Sequence, residues 1–127
     1  MVALTQSLED YIESIYVLAG DDGEACVRDV AERLDVKMPS VVKAIHELKR
    51  LELVTQKPYC GIRPTAKGAR VARMILGRHN LLRDFLVKLG VGRIMADRDA
   101  CLMEHILSAE TIDKIREYTE ANGKKGK

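Results

Sequence analysis

The chain has 127 residues, a formal net charge of +2 and 46% apolar residues, enough for one domain, or a small domain with a helical extension, around a genuine core. Three scattered cysteines (Cys26, Cys60, Cys101) form no CxxC pair, and their odd count speaks against a secreted disulfide framework and for a reducing cytoplasm. The sequence has no signal-peptide pattern and no apolar run long enough to span a membrane, so a soluble protein is expected, and with one phenylalanine and no tryptophan a base-stacking aromatic surface is not.

Net charge alone does not announce a nucleic-acid binder. Basic residues nevertheless concentrate between Lys37 and Arg83, while acidic residues favour the two ends.

Ser7 is expected to begin a first helix with apolar positions Leu8, Ile12, Ile15 and Tyr16, stopped by Gly20 and Asp21-Asp22-Gly23. Asp10 and Glu13 fall on its other side. Their plain reading is a solvated acidic face, with Asp10 placed three residues after Ser7 as in a capping box. A second helix follows from Val27 to Leu34, then a break from Asp35 to Met38, then a third helix with Pro39 in its first turn. Val41, Ile45 and Leu48 point inward along it; Pro39, Lys43, His46, Glu47 and Arg50 point outward. Two short helices joined by a tight turn, the second basic on its outer side, form a helix-turn-helix. Residues 55–65 then read as two short extended pieces around Pro58 and Gly61, a small hairpin or wing, with Thr65 capping the next helix.

That fourth helix runs from about Ala66 to Leu89, with the stripe Ala72-Ile75-His79-Leu82-Leu86-Leu89. His79 interrupts an apolar seam, which suits a satisfied interface histidine as well as a metal ligand. A fifth helix is expected from near Asp97 and carries Cys101-Leu102-Met103-Glu104-His105. At about 100° per residue, Cys101, Glu104 and His105 share one face, with Leu102, Met103 and Ile106 opposite for packing. A thiol, a carboxylate and an imidazole at i, i+3 and i+4 can converge on one ion. Such trios are also common on helix surfaces, so the stretch by itself does not decide. A sixth helix starts at Ser108 and stops near Ala121, before Asn122 and Gly123.

Leu8-Glu9-Asp10-Tyr11-Ile12-Glu13-Ser14-Ile15-Tyr16, Gly77-Arg78-His79-Asn80-Leu81-Leu82 and Cys101-Leu102-Met103-Glu104-His105, in that order around a winged helix-turn-helix, resemble the diphtheria-toxin-repressor and manganese-transport-repressor family over essentially the whole chain. The resemblance implies a mainly α protein, with a winged helix-turn-helix DNA-binding domain over residues 1–64 and a helical metal-binding and dimerisation domain over residues 65–127. It matches the short form, without the SH3-like domain of the iron-type members. Carried over by position, the implied metal ligands are Asp10, Glu13, His79, Cys101, Glu104 and His105. Asp10 and Glu13 match the manganese-type branch, where the iron type has methionine at the first position. Cys101 matches the iron-type branch, where the manganese type has glutamate. Arg83 and Asp97 stand where the iron type has a glutamate and a histidine of an ancillary site, so that site is not expected.

The implied function is metal-dependent repression: a divalent ion fixes a homodimer for operator binding and so regulates genes of metal uptake or homeostasis. Carboxylates and imidazoles suit Fe²⁺ and Mn²⁺, whereas a thiolate shifts preference towards Fe²⁺, Co²⁺ and Zn²⁺. Fe²⁺ or Mn²⁺ is therefore the expected physiological ion, with Zn²⁺ or Co²⁺ accepted in vitro. Pro39, Ser40 and Lys43 are placed to reach base edges of double-stranded operator DNA, and Lys37, His46, Lys49, Arg50, Lys57, Tyr59 and Arg63 to meet phosphates. No membrane or small organic substrate is expected. Two rival readings remain open at this point. One is a winged-helix DNA-binding or interaction module with a structural metal or none. The other is a metal-dependent hydrolase, which HExxH spacing would have favoured and which this sequence lacks.

Overall fold

The computed structural model describes residues 4–57 and 61–125, with side chains up to residue 121. The chain runs α1 (Gln6–Ala19), α2 (Val27–Leu34), α3 (Met38–Arg50), β1 (Val54–Gln56), β2 (Ile62–Pro64), α4 (Ala66–Lys88), α5 (Arg93–Ile106) and α6 (Ala109–Lys125). It divides into two compact units, Met1–Met74 and Ile75–Lys127.

In the first unit α1 is capped by Thr5, not Ser7: the Thr5 hydroxyl accepts a hydrogen bond from the Leu8 N–H at 3.1 Å. The residue three after the cap is then Leu8, so Asp10 takes no part in a capping box. Ile12 and Ile15 are fully buried beside Tyr11 and Ser14. Gly20, at φ 72°, lets the chain leave the helix in a conformation few other residues adopt. After α2 the Val36 N–H bonds to the Ala31 carbonyl and the Asp35 N–H to the Glu32 carbonyl, with Asp35 left-handed at φ 55°. This Schellman closure turns the chain within three residues into α3, where Pro39 sits in the first turn. Val41, Ala44, Ile45 and Leu48 are buried against the rest of the unit. The helix-turn-helix therefore forms as its apolar spacing demands.

The same closure ends α3, with Glu52 at φ 62° and the Leu53 N–H on the Leu48 carbonyl. It delivers β1, which pairs antiparallel with β2 so that Thr55 faces Arg63. Ala25 adds a bridge to Ile62. The arms of the wing are thus in place; the expected turn at Pro58 lies outside the described residues. Thr65 caps α4 as expected, its hydroxyl accepting from the Gly68 N–H at 3.0 Å. A Cβ at Gly68 would stand 1.9 Å from the Leu53 carbonyl oxygen, so only glycine lets the helix start this close to the wing.

In the second unit the α4 stripe keeps Ile75 and Leu82 fully buried, Leu86 half-buried and Leu89 exposed. Helix α5 starts at Arg93 rather than Asp97, because Gly92 serves as N-cap and its carbonyl accepts from the Ala96 N–H. Ser108 caps α6 through the Thr111 N–H at 3.1 Å. That helix runs past the expected stop to Lys125, since an interior glycine costs only about 1 kcal/mol relative to alanine. Phe85 and Tyr118 meet edge to face at 6.1 Å, joining α4 to α6. Among the described residues no helix is long and apolar enough to cross a membrane.

Candidate metal centre and DNA-binding surface

Helix α3 exposes Pro39, Ser40, Lys43, His46, Lys49 and Arg50; Lys37 is exposed at its N-cap, Lys57 is exposed after β1, and Arg63 is half-buried on β2. Tyr59 lies outside the described residues. Several of these cations already have partners within the chain. Arg50 grips the Glu47 carboxylate with two nitrogens, and this hydrogen bonding holds the Glu47 carboxyl below and the Arg50 guanidinium above their ordinary ranges. Arg63 donates to the Asp22 carbonyl at 3.1 Å, and the Lys49 ammonium lies 3.5 Å from the Gln56 amide oxygen. Two apolar residues share the exposed surface, Met38 and Val42, the latter 56% exposed. The sequence signal for Val42 is the seam at Val41, Ile45 and Leu48, which leaves it on the outer side, between Pro39 and His46 at helical spacing.

In the second unit, α5 turns its faces opposite to expectation. Ala96, Ala100 and Glu104 are buried, whereas Leu102 is 61% and Ile106 75% exposed. Glu104 and His105 are not surface residues: Glu104 is 1% exposed and the His105 side chain 2%. A carboxylate is almost never buried so fully without compensation. His79 is close by, its Nδ1 3.8 Å from Glu104 Oε1, while His105 Nε2 is 3.5 Å from the same oxygen. Both approaches exceed a hydrogen bond. His79 Nδ1 is buried with no hydrogen-bond partner. On its other side, His79 Nε2 lies 2.7 Å from Asp97 Oδ1, and that hydrogen bond holds the Asp97 carboxyl below its usual range.

Two imidazoles and a carboxylate, all withdrawn from water, fit a divalent transition metal in donor type and burial. Neighbouring ligands on one ion with bonds of about 2.1 Å stand roughly 3.0–3.4 Å apart. The spacing here is slightly wider. Among the described residues no group of three or more His, Cys, Asp or Glu side chains is closed into ion-holding geometry as it stands. Cys101 shares the face of Glu104 and His105 but is exposed. Asp10 and Glu13 belong to the first unit, both half-buried on α1. Asp97 also lies beside this cluster, through its contact with His79. Its signal in the sequence is its helical spacing four residues before Cys101.

Residues 3–62 match the family described as "Iron dependent repressor, N-terminal DNA binding domain", and residues 65–123 the one described as "Iron dependent repressor, metal binding and dimerisation domain". The chain belongs to the diphtheria-toxin-repressor and manganese-transport-repressor family. It is 39% identical over 118 residues to the transcriptional regulator MntR of Escherichia coli O6:H1, covering 93% of this chain and 76% of that relative. Among solved structures it resembles T. acidophilum IdeR at 28% identity and TM-score 0.76, over 94% of this chain and 56% of that one. It also resembles a manganese-dependent transcriptional repressor in complex with manganese at 26% identity and TM-score 0.78, over 87% and 51% of the two chains.

Members of this repressor family are transcriptional regulators, not enzymes, and the hydrolase alternative falls. The mainly helical fold, with a DNA-binding half followed by a metal-binding and dimerisation half, is the one expected from the sequence. The protein is a metal-dependent transcriptional repressor that binds DNA and dimerises.

Proposed function

We propose that this repressor is a cytoplasmic sensor of Fe²⁺ or Mn²⁺ whose ligands are Asp10, Glu13, His79, Cys101, Glu104 and His105, and that its target genes serve metal uptake or homeostasis. The observation that carries the reading is the buried convergence of His79 and His105 on Glu104, with His79 Nδ1 lacking a hydrogen-bond partner. When bound, the ion supplies positive charge that offsets the buried carboxylate and takes up the histidine lone pairs. Asp10 and Glu13 belong to the DNA-binding domain, proposed as residues 1–64, and the other four ligands to the dimerisation domain, residues 65–127. A ligand set divided in this way ties metal occupancy to the separation of the two recognition helices, which must match half-sites about one helical turn apart.

The exposed apolar residues of α5 supply a dimer face. Met95, Leu102 and Ile106 fall within about 40° around the helix, and all three are at least half exposed. On DNA, Pro39, Ser40 and Lys43 reach base edges, with Val42 beside them for thymine methyl groups. Lys37, His46, Lys49, Arg50, Lys57, Tyr59 and Arg63 meet phosphates. The partners are thus operator DNA and a second copy, with no membrane and no small organic substrate.

The test is fluorescence anisotropy of operator binding with Mn²⁺, with Fe²⁺ under anaerobic conditions, and with excess chelator, alongside metal stoichiometry. Metal is expected to tighten specific binding at least tenfold. Unchanged specific affinity in chelator would overturn the proposal and favour a constitutive winged-helix module.

A further inference from the structure

We propose that Asp97 is a positioning residue for the metal site: its carboxylate selects the His79 tautomer protonated at Nε2 and so presents the bare Nδ1 lone pair to the metal. The inference rests on the reading of His79 as a ligand.

The geometry comes from two helices of one unit. His79 on α4 has its Nε2 2.7 Å from Asp97 Oδ1 on α5, a charge-assisted hydrogen-bond distance. An ionised carboxylate accepts and cannot donate, so the shared hydrogen belongs to Nε2. A neutral imidazole carries only one ring hydrogen, which leaves Nδ1 as an acceptor. That Nδ1 is buried, has no hydrogen-bond partner and faces Glu104 Oε1 at 3.8 Å. A lone pair opposite a carboxylate oxygen is repulsive until a cation lies between them.

Two consequences follow. The ring of His79 is oriented before metal arrives, because both its tautomer and its plane are set by Asp97, and a ligand held this way loses less freedom on binding. With Nε2 occupied, His79 has one nitrogen left to offer, so it serves one ion and not two. Asp97 thus works through the histidine, in a position where the sequence pattern would otherwise place a further metal ligand.

The experiment uses the full chain, ¹⁵N-labelled, with four proteins: wild type, Asp97→Ala, Asp97→Glu and His79→Gln. The Asp97 side chain is 56% exposed, so its truncation leaves the core intact, which circular dichroism checks. Long-range ¹H–¹⁵N spectra of the metal-free proteins at neutral pH read the His79 tautomer, with His79→Gln assigning the signals. Calorimetric titration with Mn²⁺ reads affinity. Wild type should show the Nε2–H tautomer alone. Asp97→Ala should show a mixture and bind Mn²⁺ about 10–100-fold more weakly, and Asp97→Glu should restore much of both. If Asp97→Ala leaves either the tautomer or the affinity unchanged while His79→Gln weakens binding, the positioning role is overturned and the ligand reading stands. Doubly protonated His79 in metal-free wild type also overturns it. Wild-type affinity in His79→Gln overturns the ligand reading, and this inference with it.

Discussion

Ile106→Ala probes the proposed dimer face of α5. Ile106 is 75% exposed in the protomer, so three quarters of its side chain is available for burial against a second copy. Shortening isoleucine to alanine removes three carbons, worth roughly 2.4 kcal/mol when fully buried at about 0.8 kcal/mol per carbon. Scaled to the available fraction, the change is about 1.8 kcal/mol. A two-fold interface feels each substitution once from each side, so the dimer loses up to about 3.6 kcal/mol and its dissociation constant rises by up to several hundred-fold. The isolated protomer loses only the quarter already buried, under about 1 kcal/mol. Sedimentation velocity over a dilution series measures the dimer constant, and thermal denaturation of dilute protein measures protomer stability. A dimer constant within threefold of wild type would show that α5 does not form the interface. A protomer destabilised by several kcal/mol would show that Ile106 is a core residue.

Lys57→Ala should weaken specific and random DNA alike and lower the slope of log affinity against log salt by about one, whereas Lys43→Ala should narrow the ratio of specific to random affinity by about tenfold. Equal losses on both DNAs in both variants would sink that division of labour. Replacing operator thymines by uracil removes only methyl groups, and should weaken wild type but not Val42→Ser if Val42 packs against those methyls; the readout is anisotropy on the paired oligonucleotides. Asp97 is held below the ordinary aspartate range by its hydrogen bond from His79, so that contact stabilises the fold above the unfolded aspartate pKa and is lost as pH falls through the lowered folded value. The gap in melting temperature between metal-free wild type and Asp97→Ala should therefore be open at pH 5 and close in stronger acid, below about pH 4. A gap that widens there would reverse the sign.

Local pattern carried the helix-turn-helix. Val41, Ile45 and Leu48 recur at helical spacing, and the structure buries all three. Thr65 was legible as a cap because a hydroxyl two residues before a helix's second position has one obvious donor to meet. Thr5 was not, because Ser7 offered the same chemistry two residues later and only the backbone geometry of residue 5 decides between them. The start of α5 is hidden for a related reason: Gly92 caps it with an ordinary extended backbone and carries no side chain to signal the cap. Asn122 and Gly123 read as a helix stop, yet α6 continues to Lys125 because their low helix propensity costs only about 1 kcal/mol or less each.

On α5 the periodicity was right and the direction wrong. Cys101, Glu104 and His105 do share one face with Leu102 and Ile106 away from it, but hydrophobicity pointed the apolar face inward and the structure points it out. In a monomeric domain apolar means inside. In a subunit that pairs with a second copy, an outward apolar face costs nothing once the partner covers it, and polar groups such as Glu104 and His105 can take the buried side. Sequence alone determined which residue types share a helix face and in what order the helices come, because both follow from spacing along the chain. Only the tertiary structure decided which face is buried and that Asp97 meets His79 from 18 positions away, because burial and long-range hydrogen bonds depend on how separate helices pack, and no local spacing encodes that.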